Sequence, residues 1–118
     1  MRILLVDDSA TMRRIQKNQL AGLEVKDILE SADGQDALTT LKNNMPVDLV
    51  LLDWNMPVMD GLACLEAIRA DAEFKDVKVI MCTSEAEKSK VFEAMKAGAA
   101  NYMVKPFTQD TLKQKLGI

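Results

Sequence analysis

The sequence predicts an open α/β domain in which five parallel strands alternate with five helices, the (βα)5 pattern. Three observations carry this. Ile3-Leu4-Leu5-Val6, Leu49-Val50-Leu51-Leu52, Val79-Ile80-Met81-Cys82 and Tyr102-Met103-Val104 are short and apolar, as parallel strands buried on both faces are. Amphipathic stretches of helical length separate them, and no repeat, low-complexity segment or linker breaks the alternation. Each run also ends in polar residues, namely Asp7-Asp8, Asp53, Thr83-Ser84 and Lys105-Pro106. The carboxyl ends of parallel strands face the ligand crevice of such a sheet, so these residues are predicted to share one site.

Ser9 is placed to cap a first helix reaching about Leu20, with Met12, Ile15 and Leu20 on its apolar side. Met12-Arg13-Arg14, the densest basic spot, reads as a solvated helix face. A weaker strand is expected within residues 26–31. A second helix over about 35–42 is bounded by Gly34 and by Asn43-Asn44-Met45-Pro46. The third starts after Asp60-Gly61, carries Leu62, Leu65 and Ile68 at helical spacing, and fades at Ala70-Asp71. A fourth covers about 87–97 and is closed by Gly98, and a fifth, capped by Thr108, ends near Leu116.

With 118 residues, 48% of them hydrophobic, the chain can bury one real core and has no room for a second. A single domain over 1–118 is expected, with no output domain after the fifth helix. A net charge of −3 and the lack of a basic stripe argue against nucleic acid. The first apolar run meets two aspartates too soon for a signal peptide, and no run approaches membrane-spanning length. A cytoplasmic protein without a membrane partner is therefore expected. Cys64 and Cys82 lack metal-like spacing, and the chain has no histidine to assist them, so both read as small buried hydrophobes.

Three carboxylates in one crevice repel one another and resist ionising together. A hard divalent cation and the Lys105 ammonium would neutralise them, and with a hydroxyl alongside, the economical reading is a Mg²⁺-assisted phosphoryl-transfer site. Taken singly, each feature has a plain structural explanation: a helix cap at Ser9, a solvated turn at Asp53, a surface loop at Lys105-Pro106. Their coincidence at four strand ends is what points to a site.

Asp7-Asp8, Asp53-Trp54-Asn55-Met56-Pro57 with Asp60-Gly61, Thr83, Tyr102 and Lys105-Pro106-Phe107 together resemble the receiver domain of two-component response regulators, specifically the chemotaxis type. The resemblance spans essentially the whole chain. It implies a flavodoxin-like, doubly wound sheet in the order 2-1-3-4-5. It also implies that Asp53 accepts a phosphoryl group from a histidine kinase, with Thr83 and Lys105 as catalytic partners. Asp8, Asp53 and the Asn55 carbonyl would ligate Mg²⁺, and Asp7 would contribute through bound water. Thr83 and Tyr102 would form a switch, while Asn55 and Glu85 would tune the lifetime of the acyl phosphate. Ser84 stands where the chemotaxis type more usually has alanine. The Lys105-Pro106 bond would be cis.

The implied role is a stand-alone, monomeric signalling protein rather than a steady-state enzyme, one that catalyses its own phosphorylation and dephosphorylation. Its partners would be a chemotaxis-type histidine kinase, a flagellar motor-switch protein and a phosphatase. The partner surface would comprise Val91, Met95, Ala99, Tyr102, Val104, Thr108 and Lys115. A phosphorelay or phosphate-sink receiver is the alternative within the family. A haloacid-dehalogenase-type aspartyl-phosphate phosphatase fits less well, because Asp7-Asp8-Ser9-Ala10-Thr11 lacks its spaced second aspartate. A flavodoxin-like FMN carrier would need a hydroxyl-rich phosphate loop where this chain is acidic.

Overall fold

The strands form because β-branched and aliphatic runs fit a sheet covered on both sides, and the helices because their apolar stripes do the covering. The computed structural model describes residues 1–84 and 88–118. In order it contains β1 (Arg2–Val6), α1 (Ala10–Gly22), β2 (Asp27–Ser31), α2 (Gly34–Asn44), β3 (Leu49–Asp53), α3 (Gly61–Ala70), a 3-10 turn (Ala72–Phe74), β4 (Lys78–Thr83), α4 (Lys88–Lys96), β5 (Asn101–Val104) and α5 (Gln109–Leu116). The strands form one parallel sheet in the order β2-β1-β3-β4-β5, with Leu51 of β3 opposite Leu5 and Ile80. This is the predicted doubly wound order.

Alternation along each strand divides the core in two. Leu4, Val6, Val50, Leu52, Val79 and Met81 point to the side packed by Leu41 of α2, Leu65 and Ile68 of α3 and Ala94 of α4. Ile3, Leu5, Leu49, Leu51, Ile80 and Met103 point to the other, packed by Leu20 of α1 and Leu112 of α5. Cys64 and Cys82 are buried free thiols, as expected. The helices begin where side-chain acceptors can satisfy exposed amides: Ser9, Asp33, Asp60 and Thr108 each accept from the N–H three residues on. Each cap contributes about 1 kcal/mol. Among the described residues no helix is long and apolar enough to cross a membrane.

The face of α1 differs from expectation. Leu20 is buried, but Ile15 is exposed and Gln16 takes the inward position, because α1 packs along the 12-16-20 row and Ile15 lies about 100° round the helix from Gln16. Arg13 likewise leaves the solvated face and is largely covered by its partners. The loop after β3 holds Val58 at φ 67°, although Val58 is 84% exposed. A β-branched residue in the left-handed region clashes with its own carbonyl, at a cost of about 1–2 kcal/mol that glycine avoids. Val58→Gly is therefore expected to stabilise the fold by about 1 kcal/mol, raising the melting temperature by about 4 °C. An unchanged or lower melting temperature would show that the loop relaxes at no cost.

Candidate functional site

The crevice is built from four adjacent strand ends. Asp7 follows β1, Asp53 is the last residue of β3, Thr83 the last of β4, and Lys105 follows β5. Asp7, Asp8 and Asp53 each present a carboxylate oxygen, and these oxygens lie within 4.8 Å of one another. Lys105 Nζ reaches into the group, 2.7 Å from Asp7 Oδ2 and 3.0 Å from Asp53 Oδ1. Its backbone is anchored as well, since the Lys105 N–H donates to the Thr83 carbonyl at 2.8 Å. The Lys105-Pro106 bond is cis, and so is Met45-Pro46, which no local pattern announces.

Burial and charge set the protonation of these groups in opposite ways. Burial pushes the Asp53 carboxyl above its ordinary range, the hydrogen bond and charge of Lys105 pull it back, and the charges on Asp7 and Asp8 push it up again. Burial alone would lower the pKa of Lys105, but its hydrogen bonds and ion pairs with Asp7 and Asp53 outweigh that and the net shift is upward. Lys105 therefore stays charged, and one ammonium faces three carboxylates. Cys82, opposite Asp53 in the β3–β4 register, has its thiol pushed up to about 12, first of all by burial. It remains a neutral thiol. The donor set is thus all oxygen, with an excess of two negative charges when the carboxylates are ionised, which fits a small hard divalent cation such as Mg²⁺.

Trp54 is buried beside Asp53, with Lys90 of α4 over its ring at 5.7 Å. Thr83, itself buried, shares a small apolar cavity with Trp54, Val91, Ala94 and Tyr102. Tyr102 is half-buried on the edge strand under Lys115, whose Nζ lies 5.3 Å from the ring centroid. Asn55 is exposed in the loop after β3, and Glu85 lies outside the described residues.

On the expected partner face, Met95 is 45% exposed, Val91, Val104 and Lys115 are half-buried, and Thr108 is exposed. Ala99 does not belong there. It is buried in the core with Val79 and Ala94, because its N–H donates to the Ala94 carbonyl as the chain turns back beneath α4. Phe92, 68% exposed on α4, is the large apolar side chain that the expected set omitted.

The family model described as the response regulator receiver domain matches residues 3–117. The chain belongs to the response regulator receiver family. This receiver is 47% identical over 118 residues to chemotaxis protein CheY1 of Helicobacter pylori, covering 100% of this chain and 95% of the relative. It is 50% identical over 116 residues to chemotaxis protein CheY-3 of Vibrio cholerae, covering 98% and 88%. Among solved structures, the receiver matches chemotaxis protein CheY4 of Vibrio cholerae with a TM-score of 0.90 at 32% identity, over 98% of this chain and 95% of that one. It matches a chain of the CheX-CheY-BeF3-Mg²⁺ complex of Borrelia burgdorferi with a TM-score of 0.92 at 31% identity, over 98% and 86%. It is a receiver of the CheY chemotaxis type.

Proposed function

We propose that this receiver is switched by phosphorylation of Asp53 and passes the signal on by changing its affinity for a partner protein. The observation that carries this reading is the Lys105 ammonium held between Asp7 and Asp53 at the floor of the acidic crevice. An Asp53 carboxylate oxygen attacks the phosphorus of a kinase phosphohistidine. The new O–P bond forms as the N–P bond breaks, and the imidazole leaves with the bonding pair. A carboxylate is a modest nucleophile, so placement and charge neutralisation supply most of the acceleration. Mg²⁺, held by Asp8, Asp53 and the Asn55 carbonyl and by Asp7 through water, would neutralise charge on the transferring group. Lys105 exchanges its contact with Asp53 for one with a phosphoryl oxygen, which a flexible point charge can do without rebuilding the site.

Thr83 donates its hydroxyl to a phosphoryl oxygen that exists only after transfer, and this differential contact biases the protein toward a second state. Tyr102 lines the same cavity as Thr83, so a shift of the hydroxyl alters the room available to the ring. The signal leaves through α4, β5 and α5. There, Tyr102, Val104, Thr108 and Lys115 border a groove of about 280 Å³, and Phe92 and Met95 stand exposed on α4. The partners we propose are a chemotaxis-type histidine kinase, a flagellar motor-switch protein and a phosphatase, met in the cytoplasm by a monomeric single-domain receiver. Asn55 and Glu85 set the phosphoryl lifetime.

Metal binding tests the chemistry without a kinase. Mg²⁺ is expected to quench Trp54, the only tryptophan, reversibly and with weak affinity in about the millimolar range. Asp8→Ala is expected to abolish the response. An unchanged titration in that variant would place the cation elsewhere.

A further inference from the structure

Asp7 is held on four sides. Its N–H donates to the Ser31 carbonyl at 3.1 Å, its Oδ1 accepts from the Ser9 N–H at 2.9 Å, and its Oδ2 accepts from Lys105 Nζ at 2.7 Å. The fourth hold is different in kind: the Asp7 carbonyl accepts from a guanidinium nitrogen of Arg13, one turn into α1. Arg13 Nε donates at the same time to Glu30 Oε1 on β2 at 3.0 Å, and Lys17 Nζ secures the other Glu30 oxygen at 3.2 Å. The Arg13 side chain is only 17% exposed.

The Asp7 carbonyl belongs to the peptide that carries Asp8. Rotation of that peptide swings the Asp8 carboxylate, which is exposed and makes no hydrogen bond or ion pair among the described residues, so nothing but the main chain aims it. We propose that Arg13, anchored by Glu30, is a positioning residue for the acidic crevice: it fixes the Asp7–Asp8 peptide so that Asp8 points at a divalent cation. A planar guanidinium suits the task, because its fork offers separate donors to the carbonyl and the carboxylate at once, whereas an ammonium is a single point. Glu30 also offsets the guanidinium charge, which would otherwise repel the cation.

The sign of the effect separates positioning from charge. A residue that merely adds positive charge near a cation site weakens binding, so its removal tightens binding. A residue that holds the site together does the reverse.

This inference rests on the reading of Asp7, Asp8 and Asp53 as a cation site, and the test keeps the two apart. Mn²⁺ binding to the full chain would be measured from the electron paramagnetic resonance signal of the free ion, with Mg²⁺ as competitor. The proteins would be the wild type, Arg13→Gln, Arg13→Lys and Lys17→Gln. Arg13→Gln is expected to bind about tenfold more weakly than wild type. Arg13→Lys, which keeps the charge and loses the fork, is expected to be weaker too. Lys17→Gln strips one charge from the same network without touching Asp7, and is expected to bind as tightly as wild type or slightly more so. Wild-type or tighter binding in Arg13→Gln would overturn the positioning role and leave the cation reading standing. A wild type that binds neither ion would remove both. Should Arg13→Gln fail to fold, Arg13→Lys decides, since a purely electrostatic role leaves its affinity unchanged.

Discussion

Asp53→Asn will take up no phosphoryl group, from a kinase or from a small acyl phosphate. The amide keeps the shape of the carboxylate but has no nucleophilic oxygen, and the loss is expected to reach roughly three orders of magnitude or more. The fold will not suffer. Lys105 keeps its partner Asp7 at 2.7 Å, and a buried carboxylate whose pKa is raised in the folded state is a liability at neutral pH. With the folded pKa above the unfolded one, the native state binds more protons between them, so the penalty grows as pH rises through that window and is complete above it. In the absence of metal, Asp53→Asn is therefore expected to melt above wild type at neutral pH. The difference should vanish as the solution is made acidic. Intact phosphoryl uptake in the variant, read as the mass increment of one phosphoryl group, would remove Asp53 from the role assigned to it.

Gly61→Ala is expected to destabilise the fold far more than the same substitution at Gly117. A Cβ at Gly61 would lie 2.2 Å from the Asp53 carbonyl oxygen and 2.8 Å from Trp54 Cα. Both are backbone atoms at the end of β3, and the Gly61 N–H already donates to the Trp54 carbonyl at 2.8 Å, so neither side can yield cheaply. Overpacking against main chain of this kind costs about 3 kcal/mol, or about 12 °C of melting temperature in a domain of this size. Because the strand end that must move carries Asp53, cation binding should weaken in parallel. Gly117→Ala provides the contrast. Gly117 sits at φ 74° and a methyl there would meet nothing within 4 Å, so only about 1 kcal/mol of backbone strain is expected. Equal melting temperatures for the two variants would mean that the approach of Gly61 to β3 is not tight.

What was legible in the sequence was whatever depends on local pattern. Strands buried on both faces announce themselves as apolar runs, and Ser9 and Thr108 could be read as caps because a cap is a matter of a few residues. The polar ends of those runs pointed to the crevice for the same reason. What was not legible depends on partners distant in the chain. The rotation of α1 is set by the sheet beneath it, which buries Gln16 and exposes Ile15 against their polarity. Arg13 reads as a surface charge until β2 brings Glu30, 17 positions later, alongside it. Ala99 is core only because the chain re-enters under α4, a path that a small residue after Gly98 does not reveal.

An acyl phosphate formed on Asp53 can be trapped chemically at the residue that carries it. Wild-type protein would be treated with a small acyl phosphate and Mg²⁺, reduced with borohydride, digested and sequenced by mass spectrometry. Borohydride converts an acyl phosphate to an alcohol and leaves free carboxylates and phosphate esters alone. Reduction is expected at residue 53 alone, and none when the phosphodonor is omitted. A stable phosphate on Ser9 or Thr83, with residue 53 unreduced, would contradict it.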